Sequence, residues 1–311
     1  MKSIRNRLGA LLVVAGCLFL SGAAMGQVPC YTVLEYAPNP TVVTDAALRL
    51  KIVESGFPWR VQDIGTGIEM LLVPAGTFQM GASPGDEEAS ADESPSHQVT
   101  LTQAFYIGKT EVTQAQWQTI MKSNPSSFSG FSDSPSRPVE QVSWNMIQGF
   151  NTATGLRLPT EAEWEFACRA GTTTARYGVL GDIAWYIGNA SSTTHPVATK
   201  LPNALGLYDM IGNVQEWCED WYGSFEIASV TNPTGPTTGS NRLLRGGNWG
   251  NLSNFYRASF RNKISPNYID HGHGFRVART ASFFLVYLWS PSSLWPVYRR
   301  DSNSNQRNER D

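Results

Sequence analysis

The chain has 311 residues, 41% of them hydrophobic, enough to bury a sizeable core as one large domain or two small ones. Its formal net charge is −2 and its charged fraction only 16%, which excludes the basic footprint of a nucleic-acid binder. The 28 glycines, 18 prolines and 10 tryptophans point to a loop-rich fold held by aromatic packing.

Residues 1–26 read as an export signal. Lys2, Arg5 and Arg7 form a basic start, 8–20 is apolar, and Ala24-Met25-Gly26 is a small-x-small cleavage site before Gln27. A second reading is a lipoprotein signal, because Val14-Ala15-Gly16-Cys17 resembles a lipobox and would place a lipid anchor on Cys17. Leu18-Phe19-Leu20 is more apolar than the linker such an anchor needs. Either way the mature protein works outside the cytoplasm, in the periplasm or the extracellular space. Residues 27–58 are an N-terminal extension with a short amphipathic piece near 46–53. After cleavage the cysteines are Cys30, Cys168 and Cys218, so at most one intramolecular bridge forms. None has metal-binding spacing, and the default for Cys168 and Cys218 is a small buried hydrophobe.

The main domain opens at Trp59. Gly65-Thr66-Gly67 is a turn between two strand-like runs, and 97–101 and 104–108 read as further strands. The acidic stretch 83–96 reads as a solvated surface loop. Thr113 and Gln116 make a capping box for a helix that turns Trp117, Ile120 and Met121 toward the core. Ser143 caps a second helix, which Gly155 closes. A third helix begins with the capping box Thr160/Glu163 and ends at Gly171, with Trp164, Ala167 and Cys168 on one face. Glu161 and Glu165 could pair as catalytic carboxylates, but capping and surface charge explain them better.

Residues 203–222, NALGLYDMIGNVQEWCEDWY, follow no simple period. Asp209, Glu216, Glu219 and Asp220 stand among Tyr208, Trp217, Trp221 and Tyr222, and Gly212-Asn213 is a turn signal. Carboxylates that close to large aromatics must be solvated, capped or bound to a cation. Two readings stay open. Asp209 and Glu216 aim carboxylates and nearby carbonyls at a hard cation such as Ca²⁺, or Asp209 caps a turn and Glu216 starts a short helix. The run 283–289 is far shorter than the roughly 18 residues that span a bilayer, and the tail beyond it is polar. Of the four histidines, His97, His195, His271 and His273, only His271 and His273 are close in sequence; a catalytic metal there would need partners from elsewhere in the fold, and a glycine-rich surface turn explains the pair better. No GxSxG, P-loop or dinucleotide fingerprint is present.

Several motifs together resemble one family. VPAGTFQMG at 73–81, FYIGKTEVTQAQW at 105–117, RLPTEAEWEFA at 157–167, GLYDMIGNVQEW at 206–217, RGGNWGNLSNFYRASFR at 245–261 and GFRVAR at 274–279 look like the formylglycine-generating enzyme, or sulfatase-modifying-factor, family. The resemblance covers 59–279, leaving 280–311 as a C-terminal tail. It implies a single compact α/β (α+β) domain, irregular and low in regular structure, related to C-type-lectin-like folds. It places a calcium site at Asp209, Gly212, Val214 and Glu216, and puts Asn189 near a second cation. It implies copper-dependent oxidation of a sulfatase cysteine to formylglycine, through two thiolates five residues apart. Here those positions hold Asn251 and Tyr256, while Asn248 and Gln215 replace a serine and a tryptophan of the pattern. An amide and a phenol do not replace thiolates for Cu(I). Asn248, Asn251, Tyr256, Gln215 and Arg245 remain as lining for an altered pocket, unless Arg245 and Arg261 are structural arginines. The expectation is an exported, non-copper binding or accessory module for an unidentified protein, peptide or small molecule. The alternatives are an oxidoreductase of the formylglycine-generating type with a non-standard site, and a structural envelope protein.

Overall fold

The computed structural model describes residues 31–282. The export signal, Cys17, Cys30, the apolar run at 283–289 and the polar tail lie outside the described residues. In chain order the elements are β1 (Tyr31–Glu35), α1 (Ala46–Glu54), β2 (Arg60–Asp63), β3 (Glu69–Val73), β4 (Gly76–Met80), β5 (His97–Leu101) and β6 (Phe105–Gly108). There follow α2 (Gln114–Met121), α3 (Trp144–Thr154), α4 (Glu161–Arg169), α5 (Leu180–Ile183), β7 (Gln215–Trp221), β8 (Val230–Thr231), β9 (Arg242–Arg245), β10 (Asn262–Ile264), β11 (His273–Gly274) and β12 (Ala278–Thr280).

Local chemistry sets the helix ends. Thr113 and Thr160 each accept from the backbone N–H three residues on, and Gln116 and Glu163 reach back to close both boxes. Ser143 accepts from Met146 N, and Gly155 ends α3 with φ 70°. The end of α4 differs from expectation: Ala170 takes the left-handed cap at φ 47°, and Gly171 follows it.

Three sheets result. The order β1-β2-β3-β6-β12 is antiparallel throughout, so residues 31–35 add an edge strand to the sheet that the main domain builds. The second sheet is β10-β9-β7-β11, with β11 parallel to β7, and the third is β4-β5-β8. The centre is aromatic. Trp117 stacks on Phe150 at 5.6 Å, and Phe275 meets both edge-on.

The core is also charged, which corrects two readings. Glu161 and Glu165 are 4% and 0% exposed, so they are not surface charge. Glu161 receives both arms of Arg261 at 2.6 and 2.8 Å, while Glu165 pairs with Arg169 and Arg245. A buried carboxylate is tolerable when a guanidinium fork satisfies it. The stretch 83–96 is not simply solvated either. Glu93 is fully buried and holds Arg257 at 2.5 and 2.6 Å, and Asp86 takes the same guanidinium. Among the described residues no helix is long and apolar enough to cross a membrane.

Candidate functional site

Two places gather the residues singled out above. The first lies in the turns before β7. Asp209 (φ 52°), Gly212 (φ 93°) and Asn213 (φ 58°) all take left-handed backbone, which is why 203–214 shows neither helical nor strand periodicity. A Cβ on Gly212 would sit 2.7 Å from the Trp185 carbonyl oxygen, so only glycine fits that turn. Glu216 does not start a helix. It is the second residue of β7, paired with Arg245 on β9.

Glu216 accepts both arms of Arg276 at 2.6 Å, and Trp164 Nε1 donates to it at 2.8 Å. Glu111, from the loop after β6, accepts from Asn213 Nδ2 at 2.8 Å and Val214 N at 3.0 Å. Asp209 caps no turn of its own. Its Oδ2 accepts from Ala198 N at 2.7 Å, while its buried Oδ1 has no hydrogen-bond partner. Three buried carboxylates thus face one guanidinium, with Lys200 acting on Asp209 from farther off. Burial raises the Asp209 carboxyl to about 6; it also lifts Glu111 well above its usual range, helped by Asp209 and Glu216. When ionised, these carboxylates outnumber the one guanidinium, and that surplus with one orphaned oxygen is what a divalent cation would satisfy. Among the described residues no three His, Cys, Asp or Glu side chains form a metal-holding group. A cation here would therefore use Asp209, a remaining lone pair of Glu216, and the carbonyls of Gly212 and Val214. Asn189 does not fit such a role. Its amide accepts from Tyr186 N and donates to Ala184 O, closing its own turn.

The second place is an open cavity of about 280 Å³, lined by Ile187, Ser192, 248–251 and 270–272. Of the five pocket residues expected from sequence, only Asn248 and Asn251 line it. Arg245 is fully buried, and its guanidinium serves Glu161, Glu165 and the carbonyls of Ala258 and Ser259. It is a structural arginine, as is Arg261. Gln215 is buried and accepts from Asn262 Nδ2 at 3.0 Å. Tyr256 is buried below the cavity, and its hydroxyl donates to the carbonyls of Asn248 and Asn251. Burial raises that phenol well above its usual range, so it stays protonated and braces the loop.

This site does not fit Cu(I). Asn251 Oδ1 is spent on Asn248 N at 2.9 Å, and Tyr256 on two carbonyls. The thiols among the described residues are Cys168 on α4 and Cys218 on β7, both free and buried. Burial pushes the Cys168 thiol up to about 12 and the Cys218 thiol well up, the reverse of a metal-binding thiolate. The sequence reading missed Glu111 and Arg276. Glu111 lies among polar residues, with only Val112 apolar beside it, but Arg276 stands inside an apolar run, between Phe275 and Val277. A charge embedded that way has to be paired, which was the available signal. It also missed Trp249, Asp270 and their cavity, because residues twenty positions apart meet only in the fold.

Comparison with known proteins agrees with this architecture. The chain matches the pattern of the sulfatase-modifying factor enzyme 1-like domain over residues 60–281. A protein named serine/threonine-protein kinase pkn1 from Chlamydia caviae is 34% identical over 238 residues, covering 68% of this chain and 38% of that protein. The chain therefore spans well under half the length of that relative. The formylglycine-generating enzyme of Streptomyces coelicolor is 28% identical, covering 67% of this chain and 88% of the enzyme. Among solved structures, Treponema denticola variable protein 1 superposes with a TM-score of 0.63 at 31% identity, covering 69% of this chain and 95% of that one. With its interleaved sheets, its six motifs in order and these relatives, the chain belongs to the sulfatase-modifying factor enzyme 1-like domain family.

Proposed function

We propose that this chain is an exported, non-copper member of its family that acts as a binding or accessory module, using the cavity at 248–251 and 270–272. The observation that carries the reading is the chemistry at Asn251 and Tyr256, where the family resemblance puts two thiolates. One is an amide tied to the backbone and the other a buried phenol bonded to two carbonyls. Neither is a ligand for a soft, redox-active metal. Export rests on the basic, apolar and small-residue pattern of 1–26. The names of the relatives support a scaffold put to several uses, since one is named a kinase, one a formylglycine-generating enzyme and one a variable protein.

Calcium is part of this proposal. It would sit at Asp209, Gly212, Val214 and Glu216 as a structural ion and neutralise the carboxylate surplus there.

The test is a metal inventory of the purified protein, with Cu(I) titration and incubation with a sulfatase-motif peptide plus copper. The expected result is no stoichiometric copper and no aldehyde on the peptide. Turnover to aldehyde would overturn the reading and restore the oxidoreductase alternative. If Asn251→Cys with Tyr256→Cys creates Cu(I) binding, the cavity is the family's metal position without its ligands.

A further inference from the structure

Two open cavities stand out on the described surface. The larger, about 370 Å³ beside α2, is lined by Gln114, Gln118, Asn124 and other uncharged residues, with no aromatic or charged side chain. The cavity at 248–251 and 270–272 combines three kinds of surface. Trp249 gives an aromatic wall. Its indole N–H is already spent on the His271 carbonyl at 3.1 Å, and its ring packs at 5.2 Å from His271 and edge-on to Phe128 at 5.6 Å. What Trp249 offers a ligand is therefore apolar.

The polar groups are sorted by their internal bonds. Asn251 Oδ1 accepts from Asn248 N, and Asn248 Oδ1 accepts from Gly250 N. Both amide oxygens are used to shape the loop, which leaves the two NH₂ groups as donors. Asp270 Oδ1 accepts from Gly272 N at 2.8 Å, while its Oδ2 comes no nearer than 4.0 Å to His271 Nδ1 and remains an acceptor. Ser192 brings a hydroxyl on strained backbone. Ser191 and Ser192 are consecutive non-glycine residues at φ 53° and 61°, a conformation that costs stability and tends to gather at binding sites.

The charge of the wall narrows the ligand further. No lysine or arginine lines the cavity, and Asp270 is its one formal charge. A phosphate, sulfate or carboxylate would meet repulsion with no compensating cation. A simple cation would use Asp270 but leave two amide donors unpaired, at a cost for each. The volume lies just under the ~300 Å³ lower end of small-molecule pockets, so it suits one ring-sized group rather than a folded segment. A group that presents donor and acceptor hydroxyls side by side, and an apolar C–H face, meets every one of these conditions.

We infer that the cavity formed by Ser192, Asn248, Trp249, Asn251, Asp270 and His271 binds a neutral saccharide ring. The apolar face of the sugar lies on Trp249, one hydroxyl donates to Asp270, and its neighbours accept from Asn248 and Asn251. This inference rests on the binding-module reading above.

The probes are the methyl glycosides of glucose, galactose, mannose and N-acetylglucosamine, with a neutral blocked serine-glycine peptide and inorganic sulfate in parallel. Saturation-transfer NMR on the mature protein with calcium present reads contact, and titration reads affinity. At least one glycoside is expected to receive saturation, strongest on its ring C–H protons. Asp270→Asn keeps the bond from Gly272 N and preserves the fold, and it should weaken that glycoside at least tenfold. Trp249→Phe should do the same and abolish the ring C–H enhancement. Saturation of no glycoside, or binding unchanged in both variants, overturns the saccharide assignment. Binding of the peptide or sulfate in place of every glycoside, lost with Asp270→Asn, also overturns it but leaves a binding module. The copper and aldehyde assays above decide separately whether that module reading itself stands.

Discussion

Asp220 makes the sharpest test of the buried charge on β7. Its side chain is 4% exposed, and its Oδ2 accepts from Glu161 N at 2.9 Å. Burial, reinforced by the nearby carboxylates of Glu161, Glu163 and Glu219, raises its carboxyl from an ordinary 3.8 to about 8. In the unfolded chain the same group ionises near 4. Between about pH 4 and pH 8 the folded chain holds a proton that the unfolded chain has released. Stability therefore falls as pH rises through that window, and the loss is complete above about 8. Four pH units at about 1.4 kcal/mol each set a ceiling of about 6 kcal/mol. The first N–H of α4, from Glu161, already pulls that carboxyl downward within the value of about 8. Asp220→Asn keeps an acceptor for Glu161 N and cannot ionise. At pH 9 it should exceed the parent by about 4 kcal/mol, or about 10 °C in Tm for a domain of this size. Near pH 4.5 the two should melt within a few degrees. Circular dichroism melts of both proteins at both pH values measure the difference. A gap that is the same at both pH values, or an Asp220→Asn protein that melts lower at pH 9, would refute the reasoning.

Three further outcomes follow from the same structure. Arg245→Met should lower urea-unfolding stability by about 3–5 kcal/mol, because Glu165 and the carbonyls of Ala258 and Ser259 lose a buried donor; a loss under 1 kcal/mol would mean the network is dispensable. Calcium should raise the Tm with the logarithm of its concentration, the stabilisation reaching about 2.7 kcal/mol at a hundredfold excess over Kd. Asp209→Asn should remove that dependence, and a parent Tm identical in chelator and calcium would count against the site. In a Cys30→Ser background, Cys168 and Cys218 should react with a thiol reagent only at the rate of unfolding, since both are buried with raised pKa values. Rapid labelling in the folded state, followed by mass spectrometry, would show otherwise.

Much of the local structure was written in short-range chemistry. The boxes at Thr113/Gln116 and Thr160/Glu163, the cap at Ser143 and the strand at 97–101 each depend on residues within a turn of one another, and all are present. The family motifs were legible for the same reason. What the sequence could not assign was the partner of each charge. Glu161 and Glu165 looked like surface acids because two of their arginines, Arg245 and Arg261, lie 80 to 100 residues away. Arg245 looked like pocket lining because nothing local showed that two carbonyls and two carboxylates already held it. Glu216 opens a run whose local pattern suits helix and strand alike, and its pairing with Arg276 and its place beside β9 make it a strand residue. Burial decides the energy of a charge, and burial is a property of the packed chain. The sequence determined where helices start, where turns must lie and which family the chain resembles; only the tertiary structure decided which acids are paired in the core, which one keeps an orphaned oxygen, and which polar side chains reach the cavity.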